Sequence, residues 1–534
     1  MQRRHFLLGA TAAGISAPSA LTQPALAQPS IGGRGTKIVF VPQANLTSLD
    51  PVWTTASVTR NHAGLVFETL FGRDEKLDPK PQMLEGFENT DSGKTWTLKL
   101  REGLMFHDGE KVLARDCVAS LKRWMRRDPI GQTIAARMDE MVATDDRTLV
   151  IRLRKPFASL PYALGKTQPS PVIMPERLAN TDPFKQIPEV IGSGPFRFVA
   201  SEFVTGSFAA YQKFDKYVPR NEPASFAAGG LRAMVDRVEW KIIPDAATAG
   251  NALVNGEVDW IESPLPDLLP MLRKANGVTV GVADPFGIFA QLRPNQLHGA
   301  TANPGVRRSM LAAIDQVEIM TAVMGTDKSL YRAPVGFFLP GTPSANEAGM
   351  DNVRKRRSVA DIRAMLKEAK YDGEKIVFMH PTDQTFYDAM SHVAIAAFKA
   401  VGLNIDEQSV DWGTVVQRRT SREPLDKGGW SMFPLGAPAG EYRDPVFGTN
   451  IRGNGKDAWF GWPTDEKVEA MRDAWTDSND EGERKKLDQE IQLRSFETVP
   501  FIPLGQYLPP AAWRTNMSAP LKGAVPVFWN ISKT

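Results

Sequence analysis

Residues 84–122 read LEGFENTDSGKTWTLKLREGLMFHDGEKVLARDCVASLK, a run of turn, strand and helix signals. Asp91-Ser92-Gly93-Lys94 is a turn, because Asp and Ser side chains bond nearby backbone and Gly accepts positive φ without a steric cost. Thr95–Leu100 then alternates apolar and polar residues with period two, which predicts a half-buried strand and, with the turn, a hairpin. Phe106-His107-Asp108-Gly109 closes a second strand and turns again, with His107 expected as a structural hydrogen-bonding residue. Cys117, Val118, Leu121 and Met125 recur at helical spacing, so a helix is expected over 116–127 with Cys117 as a small buried hydrophobe.

Outward from this block, strand-like and helix-like segments alternate. Lys37–Val41 is a strand followed by a loop from Pro42 to Asp50, and Thr148–Leu153 is another strand. Val306, Met310, Ile314 and Val317 line one face of a helix expected over 306–324 and stopped by Gly325. Ser358-Val359-Ala360-Asp361 is a capping box opening a helix to Ala369. A helix over 387–401 ends at Gly402 and feeds a strand over 403–410. Helix–strand units of this kind build an α/β layer.

The chain has 534 residues, 42% hydrophobic and 23% charged, enough to build large cores and to exclude a disordered or fibrous protein. After residue 30 no run approaches the roughly 18 apolar residues of a membrane span. Segment 1–27 carries Arg3-Arg4 before Phe6-Leu7, a mild apolar stretch diluted by Gly9 and Gly14, and Ala25-Leu26-Ala27, whose small residues suit signal peptidase. It resembles a twin-arginine (Tat) export signal and implies a periplasmic product. No cysteine follows the expected cleavage point, so no lipid anchor is expected, and a single cysteine allows no intrachain disulfide. Removal of Arg3 and Arg4 takes the net charge from +3 to +1, which gives no electrostatic reason to expect nucleic acid or an anionic membrane as partner. The basic run Arg354–Arg357 reads as a solvated turn.

Catalytic motifs are absent. Beyond segment 1–27 the histidines are His62, His107, His298, His380 and His392; none is spaced like a metal pair, and no His-Glu-x-x-His occurs. There is no Gly-x-Ser-x-Gly elbow. Gly93-Lys94-Thr95 mimics the end of a phosphate loop but reads better as the hairpin turn, and Gly192-Ser193-Gly194 lacks the third glycine of a dinucleotide fingerprint. No cofactor, no metal and no enzyme activity are expected.

The 84–122 block closely resembles the signature of the family 5 extracellular solute-binding proteins, the dipeptide and oligopeptide receptors of ABC importers. The shared features are an acidic turn with Gly93, the alternating strand, Leu100-Arg101 to Gly103, Phe106 to Gly109, and Ala114 to Val118 opening a helix, with Cys117 set between Asp116 and Val118. Further blocks match in order: Leu49-Asp50-Pro51, Phe67-Glu68-Thr69-Leu70, Ile191 to Phe196, Ala252 to Asp259, Val306 to Asp315, and Pro500 to Leu504. The resemblance spans residues 36–507.

It implies an α/β, periplasmic-binding-protein-like two-lobe fold with two crossing strands and an extra inserted α+β domain. Mapped here, the first lobe takes 36–57, 190–280 and 490–534, the inserted domain 58–189, and the second lobe 281–489. Phe286–Ala290 is then one crossing strand, with Gly287 allowing close approach. The implied function is capture of a small solute, a peptide above all, by hinge closure, and delivery to an ABC importer permease by a monomeric receptor. Receptors of this fold for a sugar, opine, metal chelate or haem, and a secreted hydrolase on the same scaffold, are the alternatives. Peptides are held by main-chain bonds, a charged group for each terminus and aromatic walls. Candidate ligand residues are therefore Asn45, in the loop after the first strand, and Trp412, Trp430, Phe433, Tyr442, Arg443, Asp444 and Trp462 from the aromatic-rich segment 411–462. In dipeptide receptors an aspartate closely follows the Gly-Trp of this loop and pairs with the ligand's amino terminus; here Gly429-Trp430 continues as Ser431-Met432-Phe433, with no acid.

Overall fold

The computed structural model describes residues 36–167, 170–478 and 480–534; the expected export segment 1–27 lies outside the described residues. Three large sheets and one strand pair, Phe71–Arg73 with Pro79–Pro81, organise the described chain. The first has seven strands in the order 278–282, 510–514, 260–261, 37–41, 237–241, 208–213, 196–198. The expected strand Lys37–Val41 lies within it, parallel to both 237–241 and 260–261. The second has six strands in the order 331–332, 502–507, 288–294, 432–438, 376–381, 405–410, with 376–381 parallel to 405–410 and to 432–438. The third is a four-stranded antiparallel sheet of 84–90, 95–100, 148–153 and 138–143.

The third sheet is the body announced by the 84–122 block. Ser92 (φ 54°) and Gly93 (φ 91°) make the expected turn in left-handed backbone. Strand Thr95–Leu100 sends Trp96, Leu98 and Leu100 into a core shared with Cys117, Leu121 and Trp124 of helix Ala114–Met125. Asp116 opens that helix, its carboxylate accepting the Leu113 N–H at 2.8 Å and the Glu176 N–H at 2.8 Å. His107 is part-buried, with Nε2 3.0 Å from the Gly194 carbonyl, and burial lowers its pKa to about 4. Gly192 passes so close to the end of helix Ser57–Val66 that a Cβ there would sit 2.0 Å from the Val66 carbonyl oxygen. A buried bidentate pair ties this body to the first lobe. Asp50 accepts from Arg123 Nη2 at 2.7 Å and Nη1 at 3.2 Å, and from three backbone N–H groups, of Val52, Trp53 and Ile187.

Two strand-to-strand passages join the first and second sheets: 278–282 runs on to 288–294, and 502–507 runs on to 510–514. They touch at Gly287, whose φ of +58° and missing side chain let it lie where a Cβ would be 2.2 Å from the Tyr507 carbonyl oxygen. The crossing expected at Phe286–Ala290 is therefore in place.

Two expectations need correction. The single helix expected over 306–324 is two helices, Pro304–Ala313 and Gln316–Met324. Ile314 is extended, and the Asp315 carboxylate caps the second helix by accepting the Val317 N–H at 2.9 Å and the Glu318 N–H at 3.2 Å. The return to the first lobe, expected at 490, falls at Leu508–Pro509. Helix Glu481–Thr498 packs Ile491 and Phe496 into the second lobe's core, and strand Ile502–Tyr507 belongs to the second sheet.

Candidate functional site

A cavity of about 580 Å³ opens between the first and second sheets, beside the crossing passages. Its position follows from topology. In open sheets with parallel strands, ligands bind beyond the carboxyl ends of the strands. Here Val41 to Gln43, Ile243 and Ile261 to Leu265 line one wall, at or just past the ends of the parallel strands 37–41, 237–241 and 260–261. Asp383 to Tyr387, beyond strand 376–381, and Gly436 and Pro438, at the end of strand 432–438, line the other. The floor is made by Asp284, Ile288, Tyr507 and Pro509 of the crossings.

The charged lining residues are Arg60, Glu262, Asp284 and Asp383. Glu262 is fixed where strand 260–261 ends: its carboxylate accepts the Gln43 N–H at 2.8 Å and Asn61 Nδ2 at 2.7 Å. Burial raises its pKa, opposed by those two bonds and by the Arg60 guanidinium. Asp284 accepts the Phe286 N–H at 2.9 Å; burial raises its pKa too, against the Gly287 and Phe286 backbone bonds and the charges of Arg60 and Arg332. Asp383, on the opposite wall, accepts the Trp412 N–H at 2.8 Å. Two helices begin at the cavity, Ser57–Val66 and Thr385–Ala400, and neither has a side-chain N-cap. Their first-turn N–H groups give the site partial positive charge beside its acids. Phe386, Tyr387 and Tyr507 supply aromatic wall, Phe386 and Tyr507 with ring centroids 5.2 Å apart. The arrangement suits a ligand carrying both an ammonium and a carboxylate.

None of the eight residues singled out in the sequence lines this cavity. Trp412 touches two lining residues: its ring lies 4.8 Å from that of Tyr387, and its N–H is held by Asp383. Asn45 is exposed in the loop after the first strand, near Gly206. Trp430, Phe433 and Trp462 gather with Met379 and Val415 in an interior cluster of the second lobe, where Trp430 Nε1 donates to the Ser421 carbonyl at 3.2 Å. Tyr442 is fully buried and stacks on Phe289 at 4.3 Å, its hydroxyl accepting from Gln291 Nε2 at 2.7 Å. Arg443 donates to the Leu77 carbonyl at 2.7 Å and to Asp78 at 2.8 Å, a link to the strand pair that precedes the third sheet. Asp444 is buried and accepts the Val446 and Phe447 N–H groups, both at 3.0 Å; burial raises its pKa. The cavity acids carry no motif, and each follows a strand: Glu262 directly after Ile261, Asp383 two residues after Pro381, and Asp284 two after Val282.

Residues 78–459 match the family described as bacterial extracellular solute-binding proteins, family 5. A relative from Sinorhizobium fredii, named a probable peptide ABC transporter periplasmic-binding protein y4tO, is 34% identical over 524 residues, covering 98% of this chain and 98% of its own. Among solved structures, AgaA of A. tumefaciens in complex with agropinic acid aligns with a TM-score of 0.77 at 19% identity, over 93% of this chain and 99% of its own. AppA of Bacillus subtilis in complex with a nonapeptide aligns at 0.76 and 17% identity, over 94% and 99%. Both likenesses bear on the fold, which is that of the two-lobe periplasmic binding proteins. The sequence match and the shared architecture together place this chain in family 5 of the bacterial extracellular solute-binding proteins, the solute receptors of ABC importers.

Proposed function

We propose that this protein captures a peptide in the interlobe cavity and delivers it, unchanged, to the permease of an ABC importer. It works in the periplasm as a monomer, exported by the twin-arginine-type segment 1–27. The observation that carries the reading is the cavity itself, walled by the strand ends of both sheets. A ligand there touches both lobes at once. Glu262 and Asp284 face its ammonium group, Arg60 and the N-terminal turn of helix Thr385–Ala400 face its carboxylate, and Phe386, Tyr387 and Tyr507 pack its side chains. The volume of about 580 Å³ falls within the roughly 300–1,000 Å³ of small-molecule sites. The relative named for peptide transport, alike over nearly its whole length, supports the ligand class.

Closure is driven by the ligand's differential affinity for the closed state. Moving the population from about 1:99 to 99:1 takes a preference of about 10⁴-fold, about 5.5 kcal/mol. The hinge is the pair of crossings at Ala283–Gly287 and Leu508–Pro509, short connections that absorb a rotation while each sheet stays rigid. No bond is made or broken. Native mass spectrometry of the freshly purified protein, followed by melting shifts across peptide, opine and sugar libraries, tests this. Peptides are expected to raise Tm by mass action and to be recovered intact. A shift with opines or sugars and none with any peptide overturns the ligand class, and recovery of cleaved peptide overturns the receptor reading.

A further inference from the structure

His380, Asp388 and His392 come together on the second lobe, outside the cavity, and among the described residues they form a group of ligating side chains able to hold a metal ion. His380 is the next-to-last residue of strand 376–381. Asp388 and His392 lie one turn apart on helix Thr385–Ala400, so the helix repeat puts them on one face, over that strand. His380 Nε2 is 2.7 Å from an Asp388 oxygen, and His392 Nε2 is 3.5 Å from the same oxygen. The two imidazole rings stand edge to face with centroids 4.7 Å apart, and the candidate ligand atoms all lie within 4.8 Å of one another.

The ring of His380 is buried and held on its far side as well. Its other nitrogen, Nδ1, is 2.9 Å from Glu407 on the neighbouring parallel strand 405–410. Lys399 Nζ occupies the second Glu407 oxygen at 3.4 Å, which leaves the first for His380. Each nitrogen of the ring faces a carboxylate, Nδ1 that of Glu407 and Nε2 that of Asp388. A carboxylate behind a ligating histidine is the usual way of fixing its tautomer and ring orientation, and Glu407 stands in that place. A Zn²⁺ ion with bonds of about 2.0–2.1 Å needs ligand atoms about 3.3 Å apart in tetrahedral geometry, which the present separations bracket. The His392 side chain is 65% exposed, which leaves its ring room to complete the set.

We propose that His380, Asp388 and His392 bind one divalent transition-metal ion of the Zn²⁺ class, with Glu407 orienting His380 and a fourth position open to solvent. Two imidazoles and a carboxylate favour Zn²⁺, Co²⁺, Ni²⁺ or Cu²⁺ over Mg²⁺ and Ca²⁺. The ion would clip the first two turns of helix Thr385–Ala400 to the sheet, while the side chains that hold it stay off the cavity wall.

The purified protein, stripped with EDTA and dialysed, is titrated with Zn²⁺ alone against a chromophoric chelator, and with Co²⁺ read by its visible ligand-field bands. One equivalent is expected to bind in wild type and in the control His298→Ala. His392→Ala and Asp388→Asn are each expected to weaken binding at least about tenfold, and Glu407→Gln by about 10–100-fold through its hold on His380. Circular dichroism checks the fold, which His392→Ala, at an exposed helix position, leaves intact. Absence of stoichiometric binding in wild type, or binding undiminished in both His392→Ala and Asp388→Asn, overturns the proposal and leaves the three side chains as a hydrogen-bonded cluster. Peptide-induced melting shifts read the cavity separately, so either reading can fail alone.

Discussion

If Glu262 receives a peptide's amino terminus, neutralising either partner should remove the same increment of affinity. Each Glu262 oxygen already accepts one bond, from the Gln43 N–H at 2.8 Å and from Asn61 Nδ2 at 2.7 Å. A carboxylate has about four acceptor sites, so about two remain for a ligand ammonium. Burial has also raised the pKa of this group, so the ammonium meets a carboxylate short of water. A charge-assisted bond in such a place is worth about 1.5–3 kcal/mol, or about 10–150-fold in Kd. The perturbation is Glu262→Gln, which keeps the shape and removes the charge. The assay is isothermal titration of wild type and variant, each with the best peptide from the melting screen and with its N-acetyl form. In wild type, acetylation should cost about 10–150-fold; in Glu262→Gln the free peptide should lose a similar factor, and acetylation should then cost little. Equal affinity of wild type for free and acetylated peptide, or additive losses across the cycle, would refute the assignment.

The remaining predictions concern the frame around the cavity. Gly287→Ala places a Cβ 2.2 Å from the Tyr507 carbonyl oxygen at a φ of +58°, and should cost about 2–4 kcal/mol in urea denaturation; an unchanged midpoint would deny the close crossing. Asp50→Asn strands the buried Arg123 charge and should destabilise by about 3–5 kcal/mol, with Asp50→Asn/Arg123→Met losing less than the sum of its singles; strict additivity would count against the pair. His62 is fully buried against the Tyr211 hydroxyl at 2.9 Å, and burial lowers its pKa to about 3 from an ordinary 6.5. Below 6.5 the unfolded chain binds the proton and the folded one does not, so this contribution is complete above pH 6.5 and erodes as pH falls toward 3. At pH 4.5 the loss should reach about 2.7 kcal/mol. His62→Gln should flatten the dependence of the urea midpoint between pH 7 and 4.5; an identical slope would contradict the assignment.

What the sequence disclosed and what it hid divide along a physical line. Period-two alternation and turn chemistry are local, so strands 37–41, 95–100 and 148–153 and the Asp91–Lys94 turn could be read at their true positions. The passage at Gly287 was legible because the family pattern placed a crossing there. The break at Ile314–Asp315 was not, since the apolar stripe runs on through it and only the Asp315 side chain, capping the next helix, interrupts the backbone ladder. The site was hidden for a related reason. Aromatic density marks a packed interior as readily as a ligand wall, and Trp430, Phe433 and Trp462 turn out to fill the second lobe. The cavity acids Glu262, Asp284 and Asp383 are single residues after strand ends, and only sheet topology brings them together. His380 and His392 show no metal-pair spacing in the chain because one stands on a strand and the other on a helix, and only the fold brings them together.

Small-angle X-ray scattering of the protein alone and saturated with its tightest peptide tests the central claim most directly, since a ligand bridging the two cavity walls must draw the lobes together. The account predicts a smaller radius of gyration with peptide present, and no such decrease when Glu262→Gln is given the same concentration below its own Kd. Superimposable curves from wild type with and without a peptide shown to be bound would contradict capture by closure.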